Sequence, residues 1–313
     1  MKILIIGGTR FTGPFIVKSL YEAGHSITIF HRGRNNIKVP PGVKEILGDR
    51  KDLYSYRKDF EKLSPDVILD MIALTEEHAI EVMKVFTDIA GRIVTASSHD
   101  VYLAFGIFEN FEEGPPEKMP LTEDSPLRRK LYPYRGRIAG CEDYDKIPVE
   151  KTVLSSKNLP GTIIRLPAIY GPGDGQHRVR EYLKEMDEKP GPLIIEKNRA
   201  SWHMPAGYVE NMAHAITLAV TDEKAKGKIY NGGDENHLSV IEWVRKIAEA
   251  AEWKGEILEG EEICDGNNYA QDLIVNTERI RKELGYKEIV SLEEGLIRTV
   301  AWERKNIPGT VHT

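Results

Sequence analysis

Cysteine is nearly absent: the chain has two in 313 residues, Cys141 and Cys264. Neither stands at metal-binding or redox-motif spacing, which excludes a disulfide framework and fits a reducing, cytoplasmic setting. The nine histidines form no HxH or HxxxH pair, so no structural metal is expected. No GxSxG elbow occurs, which removes the hydrolases built on one. No window approaches the ~18 uncharged apolar residues of a membrane span. The apolar run after Lys2 reaches glycine after four residues, too short for a signal core. Positive charge is in deficit, 43 Lys and Arg against 49 Asp and Glu, which argues against a broad nucleic-acid surface.

What is present is an alternation. Apolar runs predict strands at about 2–6, 26–30, 43–47, 66–70, 92–96 and 161–166. Helical periodicity falls between most of them, at 13–23, 52–62, 76–88 and 146–157. Strands alternating with helices predict an α/β chain, a Rossmann-type doubly wound parallel sheet with right-handed crossovers. Segment 99–145 is long and rich in Pro, Gly and charge, as expected of a lid or insertion. After Leu166 the texture changes, with helices predicted at 177–188, 210–221, 239–252 and 292–304 and a strand at 228–231. This predicts two regions, 1–168 carrying the sheet and 169–313 forming a smaller α/β lobe. Elements such as 208–231 are expected to return to the larger region. The lobe would lie over the carboxyl ends of the strands, where open α/β sheets bind ligands.

The most specific local signal is GGTRFTG at 7–13. It follows the apolar Ile3-Leu4-Ile5-Ile6 and precedes an amphipathic stretch with Phe15, Ile16, Leu20 and Tyr21 at helical spacing. A strand, a glycine turn and a helix in that order bring backbone N–H groups and the positive end of a helix onto a pyrophosphate. Gly7 would make the tight turn and Gly13 the close helix–strand approach. Arg10 stands where a glycine is usual, and its guanidinium suits a phosphate.

Further motifs follow in order: GDRKD at 48–52, SSHDVY at 97–102, IIRLPAIYGPGD at 163–174, YVENMAHAI at 208–216, YNGGDE at 230–235 and LGYKEIVSLEEGL at 284–296. Together with GGTRFTG they resemble the extended short-chain dehydrogenase/reductase superfamily of nucleotide-sugar epimerases, dehydratases and reductases. Arg10 resembles the atypical branch, which includes epimerase-like proteins and chloroplast stem-loop RNA-binding proteins. The resemblance implies a dinucleotide site at Gly7, Thr9, Arg10, Phe11, Thr12 and Gly13. To these it adds Asp49 at the adenine with Arg50 beside it, Ile72 and Ala73 beneath the cofactor, Lys146 on its ribose, and Pro167. It also implies a homodimer. At the end of the second strand the chain reads Phe30-His31-Arg32-Gly33-Arg34. No acid is available for a ribose 2′-hydroxyl, so Arg32 and Arg34 favour NADP over NAD.

The family's chemistry rests on a Ser or Thr with Tyr-x-x-x-Lys, whose i, i+4 spacing puts phenol and ammonium on one helix face. Ser98 matches the first position. The pair itself is missing. Alignment on Lys146 and Glu150 puts Glu142 four residues before the lysine and Tyr144 only two before it. With Asp145 as N-cap and Pro148 in the first turn, Tyr144 falls on the preceding loop. Three readings stand open: Tyr144 acts from the loop, Tyr134 replaces it, or no tyrosine acts and Glu142 merely pairs with Lys146. The family's substrate asparagine is Ala168 here, and Arg178, Arg180 and Arg199 remain as possible phosphate ligands.

The expectation is an NAD(P)-dependent sugar or nucleotide-sugar epimerase or dehydratase, with Ser98, Tyr144 and Lys146 as catalytic residues. Alternatives are a redox-degenerate dinucleotide-binding protein that contacts RNA, and an NADPH-dependent reductase. The RNA alternative rests on Arg128, Arg129, Lys130, Arg135 and Arg137 interleaved with Tyr132 and Tyr134, against a solvated loop in an acidic chain.

Overall fold

In a computed structural model the described residues are 1–35 and 38–308. In chain order the strands are β1 Lys2–Ile6, β2 Ser26–His31, β3 Lys44–Leu47, β4 Val67–Asp70, β5 Arg92–Ser98, β6 Gly161–Leu166, β7 Ala168–Tyr170, β8 Leu193–Ile195, β9 Ala206–Tyr208, β10 Ile229–Asn231 and β11 Ile257–Glu259. The α-helices are α1 Thr12–Glu22, α2 Arg57–Leu63, α3 Glu76–Phe86, α4 Leu103–Phe108, α5 Lys146–Leu154, α6 Arg180–Glu188, α7 Lys197–Ala200, α8 Val209–Thr221, α9 Val240–Ala250, α10 Glu278–Leu284 and α11 Leu292–Lys305.

Seven strands form one parallel sheet in the order β10-β6-β5-β4-β1-β2-β3. Its central strands are covered on both faces, which is why they read as continuous apolar runs rather than alternating ones. On one face α1 and α8 enclose Ile3, Ile5, Ile16, Leu20, Val94 and Ile216. On the other α3 and α5 enclose Leu4, Ile6, Ile68, Ile93, Val149 and Ile163. The strand order reverses between β1 and β4, and that crevice is where a doubly wound sheet admits a ligand.

The predicted helix at 52–62 is instead a 3₁₀ segment, Arg50–Tyr56, running into α2. Asp52 interrupts it with non-helical angles, φ −141° and ψ 48°. Beyond β6 the chain builds a second core around Tyr170, Leu183, Trp202, Val244 and Leu296. Two small parallel sheets, β7 with β9 and β8 with β11, belong to this part. These three-residue strands gave no periodic signal in the sequence. β10 pairs with β6 and α8 packs on α1, so both join the main sheet layer. Segment 99–145 holds only α4 and short turns, and wraps the carboxyl end of β5.

Candidate active site

The glycine turn has the geometry its spacing predicts. Gly7 takes φ +96°, and Gly13 lies so close to the preceding turn that a Cβ would stand 2.3 Å from the carbonyl carbon of Gly8. No side chain caps α1 and no acid lies in its first turn; the Gly13 amide donates to the Arg10 carbonyl at 2.9 Å and Pro14 has no N–H, which leaves the Thr12 amide for an anion at the positive end of the helix. A cleft of about 450 Å³ opens beside it. Gly7, Thr9, Arg10, Thr12, Arg32, Arg34, Asp49, Arg50 and Ile72 line it, with Lys51 and His31. Phe11, Gly13, Ala73, Lys146 and Pro167 do not. Phe11 caps α1 with a left-handed φ of 50°, and Ala73 is buried behind the cleft wall.

Arg10, Arg32, Arg34, Arg50 and Lys51 line the cleft against one carboxylate, Asp49. A hydrogen bond from the Lys51 amide, then the charges of Arg32, Lys51 and Arg34, hold the Asp49 carboxyl below its usual range. Arg50 is buried, ion-paired with Asp70, and donates to the Ile72 carbonyl at 3.1 Å. Its Nη1 has no partner, an orphaned donor at a cleft wall. Glycines that admit backbone to backbone and this cationic lining fit a dinucleotide.

The catalytic candidates converge at the carboxyl end of β5. Asp145 caps α5, accepting from the Ile147 amide at 2.9 Å, and Pro148 sits within the first turn. Lys146 is therefore the first helical residue, and Tyr144 lies on the loop before it. The Lys146 ammonium donates to the backbone carbonyls of Ala73 at 2.7 Å and Ala96 at 3.0 Å. Its Nζ is 5.9 Å from the centre of the Tyr144 ring. Burial brings its pKa down to about 8.

The Tyr144 hydroxyl donates to Asp100 Oδ2 at 2.9 Å. Burial, and then the Asp100 charge, drive the phenol far above the ordinary tyrosine range. Asp100 sits on a single 3₁₀ turn capped by Ser98, whose Oγ accepts from the Asp100 amide at 3.2 Å. Burial raises the Asp100 carboxyl, with the Arg128 charge opposing. Its Oδ1 has no partner. Asp100 lies inside SSHDVY but carries no sequence signal of its own. Its burial and its tyrosine partner depend on a fold between residues 44 positions apart.

Tyr134 packs its ring on Tyr144 at 5.5 Å and edge-on to Phe111 at 5.8 Å. Glu142 does not pair with Lys146; its carboxylate accepts from the Gly140 amide at 3.1 Å. His99 is buried, and burial pushes its pKa down to about 3, so it is neutral. Under the site Arg165 binds both oxygens of Glu150, whose Oε1 also accepts from Ser97 at 2.6 Å. This buried pair fixes β5, β6 and α5 relative to one another.

The basic segment is not a free charged patch. Arg128 is buried in an ion pair with Asp145 at 3.1 Å. Arg129 pairs with Glu112 at 2.9 Å and Arg135 with Asp143 at 2.9 Å, while Arg137 stacks on Phe111 at 4.5 Å. Arg128 is therefore a structural residue, not part of a solvated loop.

A second cavity of about 340 Å³ lies beyond β6, beside Ala168 and among Tyr170, Tyr182, Trp202 and Trp243. Arg178 and Arg199 reach it, held by Asp174 at 2.8 Å and Glu181 at 3.0 Å. Arg180 does not line it and is tied to the Glu303 carbonyl and Glu188. Among the described residues no group of three His, Cys, Asp or Glu is placed to hold a metal, and no helix is long and apolar enough to cross a membrane.

A parallel sheet reversing over a glycine turn, with serine, tyrosine and lysine meeting beyond it, defines a dinucleotide-dependent α/β protein. The chain belongs to the NAD dependent epimerase/dehydratase family, whose profile matches residues 3–233. It is 27% identical, over 94% of its length and 77% of the other's, to the chloroplast stem-loop binding protein of 41 kDa b of Arabidopsis thaliana. It superposes with a TM-score of 0.73 on a UDP-glucose 4-epimerase of Thermotoga maritima solved with UDP-glucose, at 17% identity, covering 97% of this chain and 99% of that one. The same score relates it to a dTDP-glucose 4,6-dehydratase of Bacillus anthracis in complex with NAD, at 18% identity over 98% and 97% of the two chains.

Proposed function

We propose that this protein is an NADP(H)-dependent epimerase or dehydratase acting on a sugar or nucleotide-sugar hydroxyl, with transient hydride transfer. Residues 1–168, with 208–231, serve the cofactor, and the remainder of 169–313 serves the substrate. The glycine turn and the Thr12 amide at the opening of α1 hold the pyrophosphate, Arg32 and Arg34 the 2′-phosphate, and Lys146 the nicotinamide ribose. The cofactor, when bound, accepts and returns a hydride.

The observation that carries the reading is the hydrogen bond from Tyr144 to Asp100, with Ser98 capping the turn that holds this carboxylate. A standing phenolate is disfavoured, because burial and the Asp100 charge both oppose it. Tyr144 instead acts as a relay. Its oxygen takes the proton of the substrate hydroxyl while its own proton passes to Asp100 Oδ2. Ser98 holds the substrate oxygen. Reversing the relay restores the hydroxyl when the hydride returns. Lys146, fixed by two carbonyls, keeps a positive charge beside this proton path below pH 8 or so.

Incubation with a panel of UDP- and dTDP-sugars tests the proposal, read by product analysis and by near-ultraviolet absorbance of reduced nicotinamide. Turnover abolished by Tyr144→Phe supports it; no product and no absorbance change with any sugar contradicts it. The homodimer is part of the proposal, and sedimentation velocity measures it. A second reading, stem-loop RNA binding, is favoured by the 27% identity to the chloroplast protein. Salt-dependent RNA retention without turnover would select it.

A further inference from the structure

Arg10 replaces a glycine in the phosphate turn, and its side chain is tied to the loop after β2. Nε and Nη2 donate to Asn35 Oδ1 at 3.1 and 2.9 Å. Asn35 Nδ2 in turn donates to Thr9 Oγ1 at 3.0 Å, closing a triangle between the turn and the loop after β2. Asn35 directly follows Arg34, and Arg10, Arg32, Arg34 and Asn35 all line the same cleft. These contacts tie the Arg10 guanidinium to the residue that directly follows the two arginines beyond β2. They use one edge of the guanidinium and leave Nη1 for a ligand.

Three guanidiniums at one end of a cleft match a compact dianion. Each offers paired donors, and a phosphate monoester has three acceptor oxygens. The only carboxylate lining that cleft, Asp49, already lies in the field of Arg32 and Arg34. Glu45, on the neighbouring strand, is engaged by His31 at 2.7 Å and is not a cleft residue. Among the described cleft residues no free acid competes for the ligand.

We propose that Arg10, held by Asn35, is a specificity-determining residue that binds the 2′-phosphate of NADP(H) rather than the pyrophosphate. This rests on the NADP reading above. Asn35 is a positioning residue, acting only through Arg10.

The test measures dissociation constants for four probes, NADP, NAD, adenosine 2′,5′-bisphosphate and ADP, on wild type, Arg10→Ala and Asn35→Ala. Two charge-assisted hydrogen bonds lost with Arg10 weaken NADP and the bisphosphate by about 10- to 100-fold, with NAD and ADP unchanged. Asn35→Ala moves the same two ligands in the same direction by a smaller factor, again sparing NAD and ADP. A merely structural role would move all four probes together. Equal weakening of all four by Arg10→Ala places the guanidinium on the pyrophosphate and overturns this inference, while a wild type that selects NADP preserves the cofactor reading. A wild type that selects NAD overturns both. If either variant fails to fold, Arg10→Lys decides: retained NADP selectivity at reduced affinity supports the inference, and undiminished NADP affinity overturns it.

Discussion

Replacing Asp100 by asparagine separates the relay from the fold around it. The change preserves shape and leaves an acceptor oxygen for the Tyr144 hydroxyl, now 2.9 Å from Asp100 Oδ2. It removes the carboxylate that takes the proton from that hydroxyl. General acid–base assistance is worth about 10²- to 10⁴-fold, so kcat should fall by that factor. Cofactor affinity should stay within about twofold, because Asp100 does not line the dinucleotide cleft. Stability gives a second readout that needs no substrate. Burial raises the Asp100 carboxyl in the folded protein. The native state then holds more protons than the unfolded state above the ordinary value of 3.8, and Asp100 makes stability fall as pH rises through that window. The asparagine variant should lose this slope in urea titrations across the acid range. A kcat within threefold of wild type, with an unchanged pH–stability profile, would refute the relay.

Lys146 titrates the other way. Burial lowers its pKa from 10.5 to about 8, so the unfolded state binds more protons between those values and stability rises with pH across that window, by on the order of 3 kcal/mol. Lys146→Met should abolish that rise in chemical denaturation, and a variant that keeps it would show the slope belongs elsewhere. Gly13→Ala places a Cβ 2.3 Å from the Gly8 backbone; it should cost about 1–3 kcal/mol by overpacking, and a midpoint shift under a few tenths of a kcal/mol would contradict the close approach. Arg128→Met leaves the Asp145 carboxylate buried without its cation, at about 3–5 kcal/mol. Its melting temperature should drop sharply, whereas a stable variant defective only in RNA retention would return Arg128 to a nucleic-acid role.

The sheet was legible because each central strand is sandwiched, so β1 and β4 carry the apolar runs Ile3–Ile6 and Val67–Leu69, and β5 carries Ile93, Val94 and Ala96 around a buried Thr95. Helices α1, α3 and α8 were legible because each buries one face against that sheet. The short strands β7, β8, β9 and β11 were not, since three residues hold no period. The start of α5 could be placed from Asp145 and Pro148 alone, as local capping chemistry constrains it. Which partners meet there could not. Tyr144 was placed on its loop, but its hydroxyl is satisfied by Asp100 only because residues 99–145 fold back over the end of β5. Arg128 shows the same limit: a run of basic residues reads as surface until the buried carboxylate that neutralises one of them is known. Arg10 stands out in the sequence because it replaces a glycine, yet its hydrogen-bond partner, Asn35, lies in a loop without pattern.

The most direct test mixes the NADP⁺-loaded protein with an accepted nucleotide sugar and follows the absorbance of reduced nicotinamide. The account predicts a transient rise that decays as product forms, and no rise in Tyr144→Phe. An unchanged transient in Tyr144→Phe, or product formed with no hydride ever reaching the nicotinamide, would contradict it.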